Sequence, residues 1–204
     1  LRTAVILFVF VIVFTAILAG AYLATKPALE ASAAEAKMKL IDEVLPRSAY
    51  DNELLKDALT LPAEPLLGTD TPSLAYVARK AGAPVAVVLE AVAPDGYSGR
   101  IRLVLAVKVD GGITGVRVTQ HKETPGLGDY IEPKKDKNKA SPWIRQFDGL
   151  SYAAVTDKEW KVKKDGGRFD FMAGATVTPR AIVKAVRKAT QYVAENHAQL
   201  YASK

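Results

Sequence analysis

Hydrophobic and polar positions divide this chain near residue 26. Positions 3–25 read TAVILFVFVIVFTAILAGAYLAT without a single charge, and Arg2 and Lys26 bracket the run. At about 1.5 Å of rise per residue, roughly 20 apolar residues cross a hydrocarbon core of about 30 Å, so the pattern predicts a membrane-spanning helix. The small residues in LAGAYLA also suit a cleaved signal peptide, but signal cores run only about 7–15 residues, and this run is longer. The expectation is a retained anchor over residues 1–26 followed by one domain over residues 27–204. One arginine before the span and mixed charge after it give a weak vote for a cytoplasmic N-terminus.

Beyond the anchor the periodicities change. Residues 27–45 are rich in Ala, Glu and Lys, and Met38, Ile41 and Leu45 share a face, which predicts a helix with Pro27 in its first turn and Pro46 ending it. Residues 61–70, with prolines and a glycine, read as a loop. Residues 84–93 (PVAVVLEAVA) predict a Val-rich strand closed by Pro94-Asp95-Gly96. Residues 101–109 alternate, Asp110-Gly111-Gly112 turns the chain, and 113–119 run back. A second hairpin is expected from residues 160–162, a turn at Asp165-Gly166-Gly167, and residues 169–171. Residues 179–200 are helical, with Ile182, Ala185, Val186, Ala189 and Val193 as the buried stripe. Antiparallel strands with flanking helices make an α+β domain.

Composition narrows the chemistry. Of 204 residues, 49% are apolar and 25% charged, which excludes an intrinsically disordered chain. The net charge is +6, and setting aside Arg2 and Lys26 leaves +4 on residues 27–204, which is no nucleic-acid footprint. There is no cysteine, so disulfides, thiolate zinc, iron–sulfur ligation and cysteine nucleophiles are all removed together. With His121 and His197 the only histidines, no all-protein transition-metal site is expected. A redox role would require an imported group.

Two segments could carry chemistry. Residues 170–179 read Asp-Phe-Met-Ala-Gly-Ala-Thr-Val-Thr-Pro: a strand end, a small-residue turn and a helix start. Thr178 suits the N-cap and Pro179 the first helical position. Gly174 and Ala175 let a ligand approach the backbone, and the positive end of the helix would favour a phosphate beside Thr176. On the residues alone, a routine strand-to-helix turn is the commoner explanation. Residues 121–129, His-Lys-Glu-Thr-Pro-Gly-Leu-Gly-Asp, make a rigid loop after a strand and could form a ligand lip, or simply a wide turn.

Other signals fail or are bland. His121-x-Glu123 lacks the cysteine pair of a zinc deaminase. Gly96-Tyr97-Ser98-Gly99 is no nucleophile elbow, because Arg100 stands where the last glycine belongs, and neither histidine has a supporting acid at a diagnostic spacing. Lys134, Lys135, Lys137 and Lys139 with Asp136 read as a solvated loop. Residues 141–144 open a short helix with Trp143 in the core. Neither a phosphate-binding Gly-rich loop nor a dinucleotide fingerprint occurs.

Taken together, the two segments resemble the FMN-binding domain family, shared by the G component of the Rnf electron-transport complex and the C component of the sodium-pumping NADH:quinone oxidoreductase. In that family an Asp-x-x-Ser/Thr-Gly-Ala-Thr segment is where a flavin transferase joins FMN phosphate to the last threonine. Asp170, Gly174, Ala175 and Thr176 match in register, with Ala173 in place of the usual Ser or Thr. The family's His-x-Glu-Thr-Pro-Gly-Leu-Gly loop near the flavin is similar to residues 121–128, and its Gly-Tyr-x-Gly entry is similar to residues 96–99. The resemblance covers most of residues 1–196, and the short chain favours the Rnf-type component.

The resemblance implies FMN covalently esterified to Thr176, Asp170 in the transferase recognition motif, and Gly174 and Ala175 as phosphate-adjacent backbone. Glu123, Thr124 and Leu127 would form the flavin lip. It further implies an electron-transfer subunit of an ion-translocating ferredoxin:NAD oxidoreductase complex, without catalytic residues or a metal of its own. Its partners would be other membrane subunits, a flavin transferase and the lipid bilayer, with no nucleic acid. The setting would be a bacterial inner membrane, with the domain on the periplasmic side. The alternatives are the C component of the sodium-pumping enzyme and a cofactor-free, membrane-tethered scaffold.

Overall fold

Among the described residues five strands run in the order in which they occur along the chain, every neighbouring pair antiparallel. They are β1 (Ala58–Leu61), β2 (Ser73–Lys80), β3 (Ala83–Gly96), β4 (Gly99–Lys108) and β5 (Ile113–Gln120). Among the described residues three α-helices accompany them, α1 (Arg2–Val44), α2 (Val177–Glu195) and the short α3 (His197–Leu200). The computed structural model describes residues 1–202. Its contacts divide the chain into two units, Leu1–Lys39 and Leu40–Lys204. The α+β class expected from the hairpins and flanking helices is the one observed.

The first unit is helical and, by length and composition, apolar enough to cross a membrane. The expected break at Pro27 does not occur: Pro27 lies inside α1. Proline removes one N–H from the ladder and leaves the Leu23 carbonyl without its donor. The strong helix formers on both sides carry the helix through regardless.

In the second unit both faces of the sheet are covered. On one face α2 packs across β3, and its stripe of Ile182, Ala185, Val186, Ala189 and Val193 is buried as expected. Beneath it lie Val87, Leu89, Ala91 and Ala93 of β3 and Ile101, Leu103, Leu105 and Val107 of β4. The alternate residues Ala86, Val88, Val104 and Ala106 are buried too. On their side Ile41, Val44, Leu45, Tyr50 and Leu54 are also buried, and the Thr114 hydroxyl donates to the Val44 carbonyl at 2.6 Å. Gly115 permits this approach, because a Cβ there would sit 2.9 Å from Val44 Cα. Burial on both faces explains why β3 reads as a continuous apolar run rather than an alternating one.

Three other expectations are corrected. Residues 61–70 are not all loop, since Leu61 closes β1, and β2 is an addition to the expected strands. The hairpin expected around residues 160–171 does not form. Val162 and Phe169 make one isolated parallel bridge, and Lys163–Asp165 is a 3₁₀ turn between them. Aromatic packing determines the path there: Phe169 lies 4.8 Å from Phe147 and 5.4 Å from Trp160, centroid to centroid. The lysines of residues 134–139 are exposed, but Asp136 is buried and accepts the Trp143 N–H at 2.6 Å and the Asn138 N–H at 2.8 Å. Trp143 is in the core, as expected.

Candidate functional site

The segment before α2 makes a tight turn in which the Ala175 N–H donates to the Met172 carbonyl at 3.0 Å. Gly174 sits at φ +86°, with nothing within 4 Å of where a Cβ would be, so the space above this backbone is open. Thr176 follows at φ −86°, ψ −25°, immediately before the helix, and its hydroxyl makes no capping bond. The first N–H groups of a helix have no intrahelical acceptor. Among the described residues, the Val177 and Thr178 N–H groups find no other one, and Pro179 has no N–H to place. The positive end of α2 is therefore left with donors beside an uncommitted threonine hydroxyl.

This corrects the expected helix start, because α2 begins two residues before the position expected for Pro179 as its first. Thr178 is no cap; its hydroxyl donates to the Glu123 carboxylate instead. Pro179 is accommodated as the third helical residue because the whole first turn lacks acceptors for its N–H groups.

Glu123 comes from the loop after β5 and is 4% exposed. Its carboxylate also accepts the Ser98 N–H from the β3–β4 turn at 3.0 Å. Its own N–H donates to His121 Nδ1 at 3.0 Å, and His121 Nε2 lies against Glu132. Further along, the Leu127 and Gly128 N–H groups donate to the Thr124 carbonyl at 3.1 and 3.0 Å. A Cβ on Gly128 would meet Glu123 Oε2 and Thr178 Oγ1 at 2.9 Å, so glycine is what lets the loop close on the helix.

The two segments border one cleft of about 260 Å³. Glu123, Thr124 and Leu127 line one side, and Gly174, Ala175 and Thr176 the other. Thr176 is only 8% exposed at its floor, whereas Tyr97, Leu127 and Val177 are exposed around the mouth. Among the described residues of the second unit the large exposed apolar side chains are Leu74, Tyr97, Leu127 and Val177, so three of the four border this opening.

Asp170 stands apart from the other six expected site residues. Its side chain is exposed and paired with Lys163. Its backbone carbonyl accepts Trp143 Nε1 at 2.7 Å, and its N–H donates to Gln146 Oε1 at 2.9 Å. It borders a neighbouring cleft of about 360 Å³ with Tyr130 and Trp143. Sequence reasoning misses Thr178 as a partner of Glu123 and treats Tyr97 only as part of an entry motif. The hydroxyl two residues after Thr176 is the sole local signal for the former.

Two groups here titrate away from their usual values. Burial pushes the Tyr130 phenol up to about 12. At Glu132 burial opposes ionisation, but hydrogen bonds from Lys135 and His121 outweigh it and hold the carboxyl below the usual range. Among the described residues no cluster of three or more His, Asp or Glu could hold a metal ion.

Comparison with known proteins gives consistent matches. A family model described as an FMN-binding domain matches residues 96–191, which span both sides of the cleft. Another, described as the RnfG N-terminal region, matches residues 1–44. The chain is 47% identical over 202 residues to the G component of the ion-translocating oxidoreductase complex of Pseudomonas aeruginosa strain UCBPP-PA14, covering 99% of this chain and 92% of that one. It is 40% identical over 201 residues to the same component in Shewanella baltica strain OS223, covering 98% and 92%. Among solved structures, the C component of the Na(+)-translocating NADH-quinone reductase from Parabacteroides distasonis aligns with a TM-score of 0.45 and 19% identity, covering 75% of this chain and 81% of that one.

Proposed function

This chain belongs to the family of the G component of ion-translocating oxidoreductase complexes, and on that premise we propose that it is an electron-transfer subunit with covalently bound FMN, Thr176 Oγ being the esterified atom. The observation that carries the reading is the shared cleft. Thr176 and the 123–127 loop lie far apart in sequence, yet they border one opening ringed by exposed apolar side chains.

The residues present fit the group. Unengaged N–H groups at the start of α2 and the open backbone at Gly174 suit a phosphate. Leu127, Val177 and Tyr97 suit a flat apolar ring at the mouth, and Thr124 offers a polar neighbour. Of the two threonine hydroxyls at the start of α2, Thr178 is engaged by Glu123 and 1% exposed, whereas Thr176 makes no capping bond, which favours Thr176 as the acceptor. Bound FMN supplies one- and two-electron transfer, and the protein contributes orientation and local dipoles. A covalent link replaces finite affinity with high effective concentration, which suits a carrier without access to a soluble FMN pool.

On the same reading the anchor is residues 1–26 and the domain residues 27–204, in a single-pass inner-membrane protein with the domain on the periplasmic side. Asp170 serves recognition by a flavin transferase, consistent with its exposed carboxylate outside the cleft. Other membrane subunits pass electrons through this one in a ferredoxin:NAD oxidoreductase complex.

The test is in-gel flavin fluorescence of the denatured chain after co-expression with a flavin transferase. Wild type and Thr178→Ala should fluoresce, and Thr176→Ala should be dark. A fluorescent Thr176→Ala band overturns the attachment site. A dark wild-type band at the mass of the bare chain overturns covalent attachment and favours a cofactor-free scaffold.

A further inference from the structure

One buried side chain beside the cleft has no part in holding the proposed cofactor, yet the loop hangs from it. The His121 side chain is 7% exposed. Its Nδ1 accepts the Glu123 N–H at 3.0 Å, and an imidazole nitrogen that accepts carries no proton. The one proton of the neutral ring then sits on Nε2 and points to Glu132 Oε1, which also accepts Lys135 Nζ at 3.0 Å. Both ring nitrogens are thus assigned by their partners.

We infer that His121 is the positioning residue of this cleft, holding the 123–127 loop through Nδ1 as acceptor while its Nε2 proton is directed to Glu132. The charged groups around the ring are Glu132 and Lys135 on the segment facing it, with Lys122 and Glu123 following in its own loop. The Glu123 amide decides the geometry, because a proton on Nδ1 sets two donors against each other and ends that bond.

The effect does not stop at one amide. The carboxylate of the same Glu123 joins the Ser98 N–H beside Tyr97 to the Thr178 hydroxyl in the first turn of α2. Loosening Glu123 therefore loosens three elements that border the cleft at once. That the loop borders a flavin rests on the function proposed above; that His121 holds the loop does not.

Two substitutions separate the roles of the two nitrogens. In His121→Asn the amide oxygen stands near the Nδ1 position and retains the acceptor. In His121→Gln the amide nitrogen stands near Nε2 and retains the donor to Glu132 but not the acceptor. The measurement is amide hydrogen exchange of the full chain in lipid nanodiscs, read on the peptide covering residues 121–128. His121→Gln should exchange there about tenfold faster than wild type, the effect of losing one ordinary hydrogen bond. His121→Asn should stay near wild type.

Equal protection in the two variants, or equal loss in both, overturns the proposal. A second measurement on the unmutated chain needs no variant to fold. With only two histidines, ¹⁵N-histidine spectra of wild type and His197→Asn identify the His121 signals. They should show Nε2 protonated and Nδ1 bare near neutral pH, and a proton on Nδ1 there overturns the proposal. A chain that passes these tests and carries no flavin sinks the cofactor reading alone.

Discussion

The Thr178 hydroxyl donates to the Glu123 carboxylate across 55 positions of sequence, joining the loop after β5 to the first turn of α2. Both residues are buried, and the other carboxylate oxygen holds the β3–β4 turn through Ser98. One side chain thus fixes three elements around the cleft.

Removing it should be costly. Glu123→Ala leaves the Ser98 N–H and the Thr178 hydroxyl without their acceptor, and hydrogen bonds to charged groups contribute about 1.5–3 kcal/mol each. We expect a loss of roughly 2–4 kcal/mol, allowing for partial relaxation. Glu123→Gln keeps one acceptor oxygen and should lose less. Urea unfolding of the full chain in detergent checks both, and an unchanged midpoint for the alanine variant would contradict the keystone role.

Gly115 faces a different constraint. A methyl group there meets the backbone of Val44 at 2.9 Å, and backbone cannot rotate aside as a side chain can. Gly115→Ala should therefore destabilise by about 1–3 kcal/mol, the usual range for overpacking. Thermal unfolding by circular dichroism reads it, and an unchanged melting temperature would contradict the close approach at Val44.

Alkaline pH should weaken the fold in a defined window. Burial raises the phenols of Tyr130, to about 12, and of Tyr201, whose hydroxyl also donates to the Val107 carbonyl at 2.8 Å. An unfolded tyrosine ionises near about pH 10. The stability due to these neutral phenols is complete below that value and is lost as pH climbs from there toward the folded pKa. Melting temperatures measured across this range should fall, and Tyr130→Phe should flatten the fall.

Leu127 sits at the opposite extreme, with 48% of its surface exposed. Leu127→Ser should change stability by no more than about 0.5 kcal/mol, as exposed substitutions usually do. On the proposed function it should leave the Thr176 ester intact while lowering the fluorescence anisotropy of the attached flavin. Unchanged anisotropy would remove Leu127 from the flavin's surroundings.

Where periodicity is strong, sequence and structure agree. The stripe from Ile182 to Val193 has the helical period, and the β4–β5 turn is announced by its residues, the Asp110 side chain accepting the Gly112 N–H at 2.8 Å. The turn expected at Pro94-Asp95-Gly96 lies instead within β3, and the chain reverses at Tyr97-Ser98. β2 escapes notice because residues 75–79 are buried without alternation, so neither strand nor helix period is visible in SLAYVARK. The start of α2 is misplaced by sequence because Thr178 has a distant partner, and local capping preferences cannot register one. The two cleft segments are each visible as motifs. Their meeting is not legible from spacing, since it depends on how β5 and α2 are brought together. Asp170 belongs to the same motif as Thr176 but turns outward, its backbone held by Trp143 and Gln146.

The scarcity of exposed large apolar side chains in the second unit bears on how the protein behaves in solution. Among the described residues of this unit, Leu74 is the one large exposed apolar side chain away from the cleft mouth. The tendency of this unit to stick to itself or to other proteins is thus concentrated in one spot, the spot a cofactor ring would cover. Loaded and unloaded chains should consequently differ in colloidal behaviour far more than their nearly equal masses suggest, the unloaded form being the more prone to self-association.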